Sequence, residues 1–271
     1  MVAAVLVAIA GVQLYILTTR TADFFAWTIG IPLTAAFLGA GYWANLPGLL
    51  LAQRLRLWQQ VRVYPIATLV FTLFILLTTL RHLDAFHFES GPFSARAAAW
   101  AWLLVYLLLP VPLLAIIVGQ ERAGGRHEYA VSQPLAAWFR ALLLLQAVGF
   151  TLLGLGLSFA PEAVTGIWPW KLTALPAGAV GAWLLGIAAG SWGSFRERDW
   201  SHVRVFMPTY LVFFMLQLLA AVRFRGSFTT DGAHTWAYLG IMLTLLIAFA
   251  LASWTHERTG RAIGGGGESL E

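Results

Sequence analysis

The chain has no cysteine, a single lysine (Lys171) and only 11% charged residues over 271 positions. The missing cysteines exclude a disulfide framework, a thiolate metal site and a cysteine nucleophile. A soluble domain carries roughly a quarter charged residues, so the scarcity of charge excludes an ordinary water-facing surface. The few charges are also segregated. Between Arg-containing clusters lie apolar stretches of about 18 to 24 residues, each long enough to cross a hydrocarbon core as a helix.

A second absence is more informative about chemistry. No Asp, Glu, Lys, Arg or His falls near the middle of any of these stretches. Ionisable groups at depth mark proton relays and ion pathways, and intramembrane proteases or zinc enzymes need His, Asp or Glu inside the bilayer. None is in place for such a role, and no haem or zinc motif lies within the spans. The cofactor, if there is one, stays unknown at this level.

What is present is 59% hydrophobic residues, with thirteen Trp. The pattern predicts an all-α, polytopic membrane protein with about eight helices, at about residues 2–19, 28–50, 62–80, 97–119, 138–159, 174–194, 203–222 and 235–255. The opening MVAAVLVAIAGVQLYILTTR has no basic stretch before its apolar run, and reads as a retained helix rather than a cleaved signal. With both termini cytoplasmic, eleven arginines lie on the inner side against six basic residues outside, which favours N-in and C-in. The Arg bias, with abundant Ala, Leu and Gly, points to a GC-rich bacterial genome and so to a bacterial cytoplasmic membrane. The net charge of +5 needs no nucleic-acid partner, because basic loops are expected beside membrane helices.

The chain also repeats itself. At an offset of 142 residues RLRLWQQVRV (54–63) lies over RERDWSHVRV (196–205), and Arg81 lies over Arg223. Beyond the third helix the offset falls to 136, bringing Trp100 over Trp236 and Glu121-Arg122 over Glu257-Arg258. Residues 1–126 and 127–261 therefore read as two four-helix units, with 262–271 a disordered Gly-rich tail. Even numbers of spans give both units the same orientation, hence a parallel 4+4 repeat with a pseudo-two-fold axis along the membrane normal.

Small residues recur four apart at Ala36, Ala40, Ala44 and Gly48, and again at Gly178, Ala182, Gly186 and Gly190. Such stripes let helix backbones approach closely. They are expected either at a central crossing of the second and sixth helices or against neighbours within each unit. Most Trp residues fall near span ends, as interfacial belts do. Trp43 and Trp183 sit deeper and, with Thr72, Tyr210 and Gln217, are candidate ligand contacts; Gln217 falls opposite Ile75 and so breaks the repeat.

Two surface features carry further expectations. The loop RHLDAFHFESGPFSAR (81–96) holds His82, Asp84, His87 and Glu89, weak candidates for a divalent metal because their spacing fits no zinc motif. Arg54, Arg56, Arg62, Arg196, Arg198 and Arg204 form two matched clusters suited to anionic lipid headgroups or to an acidic partner subunit. Glu121 and Glu257 are placed to pair with them. Pro110 and Pro112 predict a kink in the fourth helix alone. Together these features favour a non-catalytic scaffold or accessory subunit, partnered by membrane lipids or other membrane subunits and able to cradle an apolar ligand, lipid or pigment. The alternative is a transporter or channel for a neutral or amphipathic solute between the two halves.

Overall fold

The computed structural model describes residues 2–55, 57–123, 131–229 and 232–265. Its helices are α1 (Val2–Gly11), α2 (Thr21–Phe24), α3 (Pro32–Ala52), α4 (Trp58–Val61), α5 (Val63–Arg81), α6 (Phe93–Leu108), α7 (Pro110–Arg122), α8 (Ala137–Phe159), α9 (Pro161–Val164), α10 (Ala174–Glu197), α11 (Trp200–Val203), α12 (Met207–Arg223) and α13 (Ala233–Gly265). In lipid every backbone polar group must be satisfied within the protein, which is why long apolar runs become helices here. Among the described residues, seven segments are long and apolar enough to cross a membrane: α3, α5, α6 with α7, α8, α10, α11 with α12, and α13.

The first helix departs from the eight-span expectation. Its apolar part, Ala3–Ile16, is shorter than the other seven. After α1 the backbone widens into a π-helical turn, Val12–Ile16, and Leu17 leaves helical geometry. At 1.5 Å per residue such a segment reaches only about two thirds of a 30 Å hydrocarbon core.

At the predicted kink site the helix divides at Leu109, between α6 and α7, while Leu109 itself keeps helical geometry (φ −63°, ψ −36°). Pro110 and Pro112 have no N–H to offer the carbonyls of Tyr106 and Leu108, so two rungs of the helical ladder, flanking that of Val111, are missing.

α10 lies between α8 and α5, and α3 lies between α1 and α12. Both small-residue stripes are buried, and neither serves chiefly the crossing of α3 with α10. A Cβ on Gly178 would lie 2.7 Å from Thr78, and one on Gly186 would lie 2.9 Å from Phe71, both on α5. A Cβ on Gly48 would lie 2.5 Å from Thr209 on α12, as well as 2.8 Å from Tyr64. The α10 stripe thus seats α5 at Gly178 and Gly186, while Gly190 and Gly48 each meet residues of both α5 and the segment that forms α12 and the turn before it. The remaining faces of the same helices meet α1 and α8. Gly39 abuts the Tyr15 backbone, and Gly181 abuts the Gly154 carbonyl.

Several contacts at the Arg81/Arg223 end of the bundle occur in pairs. Trp27 forms an isolated antiparallel bridge with Phe86, and Trp170 forms one with Phe228. Arg81 donates to the Ser158 carbonyl at 3.0 Å, and Arg223 donates to the Tyr15 carbonyl at 2.9 Å.

Candidate functional site

Between α1, α3, α5, α6, α7, α10 and α12 lies a cavity of about 810 Å³. That volume is within the usual range for small-molecule sites. Its walls are overwhelmingly apolar. α1 packs on α3, and α6 and α7 pack on α5, but α1 and α6 share no close interface. Leu6 and Ile9 of α1 and Leu104 and Leu108 of α6 both line the cavity and are exposed on the perimeter. The mouth therefore opens sideways, between α1 and α6, toward the lipid-facing surface.

The inner wall is an aromatic box. Phe71 and Trp183 lie 4.1 Å apart, Tyr42 meets Trp183 edge-on at 5.1 Å, and Trp102 and Tyr106 lie 4.6 Å apart. The Tyr42 and Tyr106 hydroxyls bond each other. Trp102 Nε1 donates to Thr79 Oγ1 at 3.0 Å, and Thr68 and Thr72 donate back to the carbonyls of Tyr64 and Leu69. Tyr210 donates to the Ile187 carbonyl at 3.3 Å and shares a bond with Ser191. Trp183 lines the cavity with no hydrogen bond to its indole N–H among the described residues.

Of the sequence-derived ligand candidates, Thr72, Tyr210 and Trp183 line this cavity. Trp43 and Gln217 do not. Trp43 packs along α1 and donates to the Ala8 carbonyl at 3.2 Å. Gln217 is wholly buried, donating to the Phe37 carbonyl at 3.1 Å and accepting from the Tyr238 hydroxyl at 3.0 Å. It is a helix-joining amide, not the wall of a central polar passage. The sequence reading missed Tyr42, Phe71, Trp102 and Tyr106. Their only signal was a set of aromatics at helical spacing, which a packed core also shows.

The His/Asp/Glu loop does not gather a metal site. Among the described residues, no three His, Cys, Asp or Glu side chains come close enough to hold an ion. His87 is already occupied: its Nδ1 lies 3.0 Å from the Phe25 carbonyl and its Nε2 lies 3.0 Å from Thr28 Oγ1. It straps the loop to the segment before α3, while Asp84 and Glu89 stay exposed. His82, half-buried, also joins no such cluster.

At the opposite end, Arg54, Arg196, Arg198 and Arg204 are exposed, and Arg56 lies outside the described residues. Arg62 pairs with Glu197 rather than with Glu121, its guanidinium reaching both carboxylate oxygens, and His202 adds a third contact at 3.1 Å. Glu121 instead accepts from Trp58 Nε1 at 2.9 Å, and Trp200 stacks on His256 at 4.6 Å. The two RxRxW motifs thus fasten their Trp residues to the end of α7 and to the C-terminal third of α13.

Asp199 organises the turn into α11. Its carboxylate accepts from the Ser201 backbone at 2.8 Å and from the Ser132 and Gln133 backbones, tying the segment before α8 to the end of α10. Arg198, at φ 61°, makes the left-handed turn this needs. Burial alone would push the Asp199 carboxyl up, but the hydrogen bonds from Ser201, Ser132 and Gln133 together hold it below its ordinary 3.8. A depressed carboxylate stabilises the fold above its unfolded value and loses that contribution as pH falls through the folded value. The melting temperature of the wild type is therefore expected to fall faster than that of Asp199→Asn as pH drops below 3.8. Parallel melting curves against pH would refute this.

The fold and the cavity together define a multi-spanning α-helical membrane protein with a laterally open, aromatic-walled apolar cavity. No protein family, no curated protein and no solved structure matches this chain.

Proposed function

We propose that this chain is a non-catalytic membrane protein that retains a lipid-like molecule in the cavity, as a scaffold or accessory subunit of a membrane assembly. The observation that carries this reading is the cavity of about 810 Å³ with an apolar lining and a mouth on the lipid-facing perimeter. Acyl or prenyl chains enter such a space from the bilayer without crossing water. The exposed arginines at one end suit anionic headgroups.

The proposal takes residues 1–126 and 127–261 as two copies of one unit, related by a pseudo-two-fold axis along the membrane normal. Both termini would face the cytoplasm of a bacterial cell. The paired bridges and paired Arg-to-carbonyl contacts support the two-copy reading, as does a difference between the copies beside the cavity. At an offset of 142 residues Thr68 and Thr72 fall on Tyr210 and Phe214, and at 136 Leu113 falls on Phe249. Phe249 is fully buried, 4.5 Å from Tyr210, 5.7 Å from Phe214 and 5.2 Å from Phe139. One unit fills this place with rings, while the other has threonines and leaves it open.

The test is to fill it. Wild-type protein purified in mild detergent is expected to retain a lipid or other apolar molecule in native mass spectrometry. Thr72→Phe should lower the retained fraction on the order of tenfold, by inserting a ring where free volume now lies. Leu73→Phe, on the exposed face of the same helix, should leave it unchanged. A wild type that emerges with nothing bound counts against the proposal.

A further inference from the structure

Resting on the reading of the cavity as a lipid site, we propose that its occupant carries a carbonyl oxygen, recognised by the Tyr42–Tyr106 hydroxyl pair and the Trp183 N–H. The argument is a count of hydrogens. Two tyrosine hydroxyls hold two O–H donors between them, and their mutual bond uses one. Among the described residues neither hydroxyl makes another hydrogen bond, so whichever tyrosine donates, its partner's hydrogen is unspent. Both residues line the cavity at 6% and 5% exposure.

Trp183, 7% exposed, stands 5.1 Å from the Tyr42 ring and brings a second unspent donor to the same wall. Indole nitrogen cannot accept, so rearrangement within the pair cannot satisfy it. Thr68, Thr72, Trp102 and Tyr210 give their hydrogens to protein acceptors. Gln13 and Thr209, which also line the cavity and make no side-chain hydrogen bond among the described residues, sit on other elements, the Val12–Ile16 turn and the α12 face beside Gly48. Buried donors without partners are costly in an apolar surrounding, and the free space beside these is large. A long apolar molecule with one acceptor group satisfies both the walls and the donors. A fully hydrocarbon occupant leaves the donors bare.

Membranes offer this chemistry in two forms, the ester carbonyl of a diacyl lipid and the ring carbonyl of a prenylated quinone. Matched probes separate them. One pair is a diacyl phosphatidylglycerol and its dialkyl-ether analogue; the other is a tetraprenyl naphthoquinone and its ring-deoxygenated counterpart. Full-length protein in mild detergent is titrated with each, and occupancy is read by native mass spectrometry. The carbonyl member of one pair is expected to bind about three- to tenfold tighter than its partner, the range of one or two neutral hydrogen bonds. The pair that discriminates identifies the source.

The hydrogen count makes a sharper demand on variants. Tyr42→Phe and Tyr106→Phe singly leave one free hydroxyl donor each, so each should keep the preference. The double variant should lose most of it, and adding Trp183→Phe should abolish it while binding of the carbonyl-free probes persists. Should the triple variant fail to fold, ¹³C-carbonyl-labelled probe on wild-type protein gives the same answer by infrared spectroscopy. A carbonyl stretch shifted to lower frequency than in a bilayer supports the proposal, and an unshifted band overturns it. Equal occupancy by both members of both pairs, still displaced by Thr72→Phe, overturns carbonyl recognition but leaves the cavity as a lipid site. No retention of any probe overturns the lipid site as well, and the proposal with it.

Discussion

Gly39→Leu should detach α1 from the bundle. A Cβ at this position would lie 2.5 Å from the Tyr15 nitrogen and 2.8 Å from the Leu14 carbonyl carbon, both backbone atoms that no rotamer change can move aside. Adding bulk to a packed core costs typically about 1–3 kcal/mol, and a clash against backbone belongs at or above the top of that range. Contacts that depend on the position of α1 would go with it. These include the bond from Trp43 to Ala8, the Tyr15 hydroxyl on the Leu216 carbonyl at 2.8 Å, and Arg223 on the Tyr15 carbonyl. α1 is also one wall of the cavity, so lipid retention should fall together with the melting temperature. Gly240→Leu is the control, because a Cβ there meets nothing within 4 Å. Matching melting curves for the two variants would show that the α1–α3 contact has more slack than the structure records.

Glu197→Ala should be nearly as damaging at the other end. The Glu197 side chain is 6% exposed and accepts from Arg62 through both oxygens and from His202 through one. Removing it leaves the Arg62 guanidinium, itself only 28% exposed, without the carboxylate at the junction of α5 with α10. Breaking a buried pair from one side costs about 3–5 kcal/mol, and the lower end applies where one partner is partly solvated. Arg62→Lys should give an intermediate loss, since an ammonium cannot form the two-pronged contact. The double variant Arg62→Ala/Glu197→Ala should melt above Glu197→Ala alone, because the guanidinium that lost its carboxylate is then gone as well. Losses that simply add would indicate that the two side chains act independently.

The two sites differ in how legible they were. Gly39 falls on Gly181 at the repeat offset, and small residues four apart announced close helix approach. The partner of that approach was not readable. The stripes were expected to face each other or their own units; Gly178 and Gly186 face α5, while Gly48 and Gly190 each meet residues from both the α5 and the α12 sides. A stripe records that a helix face is shallow; it carries no information about which neighbour fills it. Glu197 gave less warning still. Arg62 and Glu197 are 135 residues apart, and the visible candidates for pairing were Glu121 and Glu257. Trp58 took Glu121 because its indole N–H needed an acceptor at the same helix end.

The cavity was the least legible feature. Thr72, Tyr210 and Trp183 were recognisable as polar or amphipathic groups at depth, but their convergence depends on three separate helices. An unfilled volume is made of side chains that are too small, and a small side chain in a sequence looks the same whether its neighbour is close or absent. The loop from His82 to Glu89 erred the other way. Its residue types suited a metal, yet both His87 ring nitrogens are engaged in strapping the loop to the segment before α3.

The sequence by itself determined that this is a helical membrane protein, where nearly all its spans run, and where one of them breaks. Those properties follow from single segments meeting lipid, in which an apolar run must satisfy its own backbone and a proline cannot. The tertiary structure alone decided which helices touch, that α1 is short, and that a cavity opens beside it. Those outcomes depend on van der Waals fit between surfaces distant in the chain, and fit is a property of pairs of helices.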